Sequence, residues 1–168
     1  MIILGIDPGI AIVGYGIIGS EKGIHTVVDY GVIETPQSET TAVRLALLAE
    51  SMEKIIKARR PDSVAIEELY FNNNQKTFIR VAEARGVLLH TAIKECGRLS
   101  EYTPLQVKQS VTGYGRADKP QMQQMVKLLL KLDAVPRPDD AADALAVALC
   151  HAQHCRSAEA RAGYGRYC

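Results

Sequence analysis

Acidic residues close or open apolar segments in three separate parts of this chain. Asp7 follows the β-branched run Ile2–Ile6 and precedes Pro8-Gly9. Glu67 and Glu68 follow the compact apolar run Ser63–Ile66, and Asp140 and Asp143 stand three apart where a helical apolar pattern begins. Residues three apart on a helix project from one face. Each acid has a plain structural reading. Asp7 could initiate a turn, Asp139 or Asp140 could cap a helix and suit its dipole, and Glu67-Glu68 could lead the chain into solvent. Three segments aiming acids at one point are harder to account for that way. Crowded carboxylates repel, and a cation is what makes such a cluster tolerable. Oxygen ligands without His or Cys select Mg²⁺ or Mn²⁺. Two such ions, typically about 4 Å apart, can activate water and stabilise the leaving oxygen of a phosphodiester. The chemistry implied is metal-assisted phosphoryl transfer to water.

The elements that must position these acids alternate along the chain. Ile2–Ile6, Ala11–Gly19 and Thr26–Glu34 read as three strands of a meander, with Gly14, Gly16 and Gly19 keeping the second one slim. From Glu39 to Arg60 the apolar residues recur at helical spacing (Leu45, Leu48, Met52, Ile55, Ile56), and Pro61 stops the helix. Ser63–Ile66 fits a buried parallel strand. After a polar break at Asn72–Asn74, a second helix is expected from Gln75 to Cys96, ended by Gly97. Glu101–Pro104 reads as a further strand, Thr112–Arg116 as a mobile loop, Asp118–Leu132 as a third helix and Asp139–His154 as a last one. The pattern predicts an α/β domain with a mixed sheet, antiparallel on one side and parallel on the other. It spans residues 1–155. Arg156–Cys168 is small, polar and aperiodic, and reads as a disordered tail.

The bulk numbers agree with one domain: 168 residues, 47% hydrophobic and 23% charged, with a formal charge of +1. That charge neither demands nor excludes nucleic acid; any basic surface must be local. Lys108, Arg116, Lys119, Lys127 and Lys131 supply one, opposed only by Asp118 in that stretch. The apolar start lacks a basic leader and is interrupted at Asp7-Pro8-Gly9, so neither a signal peptide nor a membrane helix is read there. The four cysteines show no disulfide spacing, which fits a cytoplasmic location. Cys150-His151-x-x-His154-Cys155 invites zinc, but the two i,i+4 pairs diverge and no second ligand pair exists, so ordinary packing is expected.

GIDPGIAIVGYG, AIEELYF, TPLQVKQSVTGYGRADKPQMQQMV and DDAADALAVALCHA follow one another in this order. In that order the chain from Met1 to His154 resembles the RuvC family of Holliday junction resolvases. The resemblance implies a ribonuclease H-like fold with a mixed five-stranded sheet flanked by helices. It implies a catalytic, metal-binding tetrad of Asp7, Glu67, Asp140 and Asp143, since D-A-A-D falls on 140–143 and Glu67 directly follows the strand in AIE. It further implies two Mg²⁺ per subunit (Mn²⁺ substituting), symmetric cleavage of four-way junction DNA by a homodimer, and partnership with a branch-migration helicase. Lys108 and Lys119 match lysines of the family motifs and are expected near the scissile phosphate. Tyr70 and Phe71 follow the glutamate at the distance of the family's base-contacting aromatic, one ring meeting DNA and the other entering the core. Arg80 and Arg116 are further expected DNA contacts, with Arg80 and Arg85 ambiguous between DNA and a subunit surface. The apolar face of the second helix suits a subunit interface and the domain core equally. Rival readings are a related nuclease acting on other branched DNA or on RNA, and a junction-binding module without catalysis. The latter is disfavoured because four negative charges oppose phosphate binding. Asp7-x-Gly9 is also similar to the phosphate loop of actin-like ATPases and sugar kinases, but 168 residues leave no room for the second domain needed to enclose ATP.

Overall fold

Strand and helix alternate because the apolar period switches between 2 and 3.6 along the chain. The computed structural model describes residues 1–69 and 75–162. Its elements are β1 (Ile2–Asp7), β2 (Ile12–Glu21), β3 (Ile24–Glu34), α1 (Thr41–Arg59), β4 (Ser63–Glu67), α2 (Gln75–Glu95), β5 (Leu99–Tyr102), α3 (Pro104–Thr112), α4 (Lys119–Leu129) and α5 (Asp139–Ala162). The five strands form one sheet ordered β3-β2-β1-β4-β5. β1, β2 and β3 pair antiparallel, whereas β4 is parallel to both β1 and β5. This is the mixed sheet expected.

Alternation along the strands divides the core in two. Ile3 and Ala65 join Leu145, Leu149, Val107, Val111 and Val126 on the face covered by α5, α3 and α4. Leu4, Ile6, Val64 and Ile66 join Leu48, Met52, Ile56 and Leu88 under α1 and α2. Odd-numbered positions of β1 and β4 therefore face α5, and Asp7 and Glu67 fall on that side. Glycine lets α5 lie directly on the strands. A Cβ on Gly14 would stand 2.0 Å from the Asp140 carbonyl oxygen, one on Gly5 2.2 Å from that of Ala144, and one on Gly16 2.7 Å from the Leu145 nitrogen. Gly19 has no such role, since its nearest neighbour is the Thr26 hydroxyl of the adjacent strand.

Three local expectations need correction. The strand read as Glu101–Pro104 is Leu99–Tyr102, and Pro104 instead opens α3, a helix the apolar pattern did not reveal. Thr103 caps it: its hydroxyl accepts from the Gln106 amide while the Gln106 side chain accepts from the Thr103 amide. Thr112–Arg116, read as a mobile loop, is hydrogen-bonded. The Thr112 hydroxyl accepts from the Tyr114 amide at 3.0 Å, and the Tyr114 carbonyl accepts from Ala117 at 3.1 Å. Finally, the last helix, expected to end at His154, continues to Ala162. The polar break at 72–74 lies outside the described residues.

The Cys/His stretch of α5 packs rather than converging. Buried His151 bonds through Nδ1 to the Tyr102 hydroxyl and through Nε2 to the Ser63 hydroxyl, both at 2.9 Å, which fastens α5 to β4 and β5. Burial holds this imidazole down at about 4, with His154 adding to the effect. Cys150 and Cys96 are free thiols.

Candidate active site

The carboxyl ends of β1 and β4, the first turns of α5 and the facing sides of α3 and α4 bound one site. β1 and β4 pair up to Ile6 beside Ile66, so Asp7 and Glu67 leave the sheet next to each other on the α5 side. Asp7 stands opposite Gly14 on β2, and Gly14 is where the Asp140 carbonyl presses on the sheet. The missing side chain on β2 thus brings the start of α5, with Asp140 and Asp143, over Asp7.

Electrostatics record the crowding. Burial, then the nearby Glu67, Asp143 and Asp140 carboxylates, push Asp7 up to about 8, only partly relieved by Lys119. Burial and Asp143 push Glu67 up to about 7, with Lys108 opposing. Asp143 is also raised, chiefly by burial, despite the Lys119 ammonium 3.2 Å from its Oδ2. Lys119 reaches Asp139 Oδ2 at 3.4 Å as well, and Asp139 pairs with Arg137. Partial burial opposes ionisation of Asp139, but the Lys119 charge outweighs it and holds that carboxyl below its usual range. Asp139 therefore answers Lys119, while its charge adds to the rise of Asp143.

A cleft of about 280 Å³ opens beside these acids, lined by Glu67, Lys108, Lys119 and Asp143 over an apolar floor of Val107, Met122 and Ala146. All six expected catalytic residues, Asp7, Glu67, Asp140, Asp143, Lys108 and Lys119, are linked here by contact or field, Asp140 through its effect on Asp7 alone. Arg116 lies exposed on the loop between α3 and α4, and Arg80 lies exposed on α2. Tyr70 and Phe71 lie outside the described residues. Arg85, left ambiguous by the sequence, turns inward: its Nε donates to the Glu67 carbonyl at 3.0 Å, and its Nη2 pairs with Glu101.

The donor set fits a hard divalent cation. Asp7 and Glu67 stand half-buried at neighbouring strand ends with too little positive charge beside them, so their ionised forms are disfavoured unless a cation offsets them. Among the described residues no three His, Cys, Asp or Glu side chains close into a ready-made metal-holding group. That is the expected posture of like charges without a counter-ion, with Asp143 leaning on Lys119 instead. Asp7, Glu67, Asp140 and Asp143 are the residues that could hold the ion.

Known proteins share this architecture. Residues 3–151 match the family model described as crossover junction endodeoxyribonuclease RuvC. The chain is 59% identical over 152 residues to the protein of that name from Alkaliphilus oremlandii, covering 90% of this chain and 93% of the relative. It is 52% identical over 166 residues to the one from Caldanaerobacter subterraneus subsp. tengcongensis, covering 99% and 100%. Among solved structures, Thermus thermophilus RuvC in complex with Holliday junction substrate superimposes with a TM-score of 0.88 at 33% identity, covering 94% of this chain and 96% of that one. On this match over nearly its whole length, the chain belongs to the RuvC family of crossover junction endodeoxyribonucleases.

Proposed function

We propose that this protein is a structure-selective endonuclease that resolves four-way DNA junctions by metal-dependent phosphodiester hydrolysis, in recombination and repair. The observation that carries the reading is the half-buried pair of Asp7 and Glu67 at neighbouring strand ends, beneath the first turn of α5 with its own two acids. Such a pair serves folding poorly and serves a cation well. Asp7, Glu67, Asp140 and Asp143 would hold two Mg²⁺, or Mn²⁺ in their place, through carboxylate oxygens. The metal when bound supplies Lewis acidity and a nucleophilic water. Lys119 and Lys108, at the cleft wall, offset the charge of the scissile phosphate as it grows toward the transition state. The N-terminal turn of α5 adds its dipole on the same side. Arg80 and Arg116, both exposed, suit contacts to the phosphate backbone that position without reading sequence. Of Tyr70 and Phe71, one ring is proposed to stack on a base and the other to enter the core.

Symmetric cutting calls for two such sites related by a dyad, hence a homodimer. α2 offers the face. Ile79 and Ile93 are 58% and 51% exposed, and Ala82 and Gly86 lie exposed between them at helical spacing. A Cβ on Gly86 would meet nothing, so within the monomer nothing requires glycine there, although it costs a helix about 1 kcal/mol relative to alanine. A second copy packed closely on this face would account for it. Residues 1–155 would carry the nuclease activity. No helix among the described residues is long and apolar enough to cross a membrane. A cytoplasmic setting and a branch-migration helicase as partner complete the reading.

The test is cleavage of a synthetic four-way junction with Mg²⁺, beside a linear duplex and the Asp7→Asn variant. Paired symmetric nicks are expected in the junction alone, and none without metal or with the variant, which still binds. Equal cutting of duplex or RNA would overturn the junction preference. Binding without cutting in either metal would overturn the catalytic assignment.

A further inference from the structure

Glu67 stands where the sheet runs out. The β1–β4 pairing stops at Ile6 beside Ile66, and beyond it only β5 remains, through Glu67 beside Tyr102 and the Glu68 amide bonded to the Tyr102 carbonyl at 2.8 Å. A peptide at the margin of a ladder is free to fray unless something outside the ladder holds it. Arg85, in the middle of α2, reaches that peptide. Its Nε donates to the Glu67 carbonyl at 3.0 Å, and the same guanidinium pairs through Nη2 with Glu101 on β5. The side chain is only 15% exposed, so the group is largely withdrawn from water.

Stability is a poor explanation for this arrangement, because the Glu101 side chain is about half exposed and an ion pair that water reaches contributes little. Geometry is a better one. A guanidinium is planar, and its donors lie in a fixed fork. One prong on the Glu67 carbonyl and another on Glu101 fix the Glu67 peptide against α2 and β5 together. With the carbonyl held, the Glu67 side chain can leave only toward α5 and the cleft. We infer that Arg85 is a positioning residue for Glu67, with Glu101 locking the guanidinium in place. The inference rests on the nuclease reading of Glu67 and deepens it. Arg85 is also the neighbour of Gly86, so the helix face proposed for the second subunit and the catalytic strand end are joined by adjacent residues of α2.

The test compares Arg85→Lys, Arg85→Gln, Glu101→Gln and Glu67→Gln with the wild type. Four quantities are measured: kcat and KM on a four-way junction, junction affinity in EDTA, Mn²⁺ binding to the DNA-free protein by calorimetry, and thermal melting. A residue acting through a metal-holding neighbour costs about 10- to 100-fold in activity or metal affinity when altered. Both Arg85 variants are expected to lose kcat to that extent and to weaken Mn²⁺ binding about tenfold. Junction affinity should stay within about twofold, because phosphate contacts elsewhere dominate it. Lysine keeps the charge but loses the fork, so Arg85→Lys should be as impaired as Arg85→Gln. Glu101→Gln, the milder change, should show the same pattern to a smaller degree. Wild-type kcat and Mn²⁺ binding in Arg85→Lys would overturn the inference, as would kcat and junction affinity falling together in step with the melting temperature. Glu67→Gln separates the two levels. If it is dead while the Arg85 variants cut normally, only the positioning role fails; if it cuts normally, the catalytic reading of Glu67 fails first.

Discussion

At the scale of single residues, Asp7 is the point where function and folding oppose each other. Burial and the neighbouring carboxylates push its carboxyl up to about 8 in the folded chain, from an ordinary value of 3.8. Between those values the folded state binds more protons, so metal-free stability falls as pH rises through that window. Asp7→Asn removes the charge and keeps the shape. In EDTA, the variant is expected to melt no higher than the wild type at pH 4 and progressively higher toward pH 8. The gain should reach about 2 kcal/mol, a few degrees for a chain of this size. Saturating Mg²⁺ should cancel the difference, and cleavage should fall by roughly 1,000-fold or more. Scanning calorimetry across pH with and without metal checks the sign. Lys119 gives a second expectation. Its ammonium touches Asp143 and borders the cleft, so Lys119→Met should lower kcat about 10- to 100-fold with little change in junction affinity. The acids were legible in the sequence because each sits at the junction of an apolar run and a turn, where a carboxylate has few structural duties. Arg85 was not legible, because it acts on a main-chain carbonyl and no spacing of residue types announces that.

At the scale of elements, the α5 seat decides whether the acids meet. Gly14 faces the Asp140 carbonyl with no room for a methyl group. Gly14→Ala is therefore expected to lift the first turn of α5, cutting cleavage about 100-fold while the protein still folds, at a cost of roughly 1–3 kcal/mol from overpacking. Activity and melting measured together would show it. The same helix shows what sequence reading could reach. Its apolar period predicted contact with the sheet, and the glycines of β2 suggested a slim strand; that the two facts are one contact emerged only from the register, Asp7 opposite Gly14. α3 escaped for a different reason. Tyr102 and Thr103 favour strand locally, and extending that strand through Pro104 hid a capping box in Thr103-Pro104-x-Gln106. The loop after α3 holds two glycines, which suggest motion, yet the Thr112 hydroxyl pins it. A side chain bonding to its own loop is invisible to composition.

At the scale of the whole molecule, the unexplained glycine on α2 becomes a handle on assembly. Gly86→Leu adds bulk where the monomer has open space, so the isolated fold should remain intact. If a second copy lies against this face, the variant should sediment as a monomer and nick junctions singly, in an uncoordinated way. Mixing wild type with an excess of Asp7→Asn gives a parallel expectation, since mixed dimers hold one competent site and should leave junctions cut on one strand.

The seat of α5 on Gly5, Gly14 and Gly16 also bears on how the protein moves. Where side chains separate a helix from a sheet, small openings can be absorbed by rotamer changes; at Gly5 and Gly14 the strand meets α5 main chain to main chain, and that cushion is missing there. The amides of residues 144–149 should therefore exchange hydrogen only through global unfolding, with opening free energies equal to that of the whole chain. Heating should leave each folded molecule fully competent until the cooperative melt, and then remove fold and cleavage in one transition.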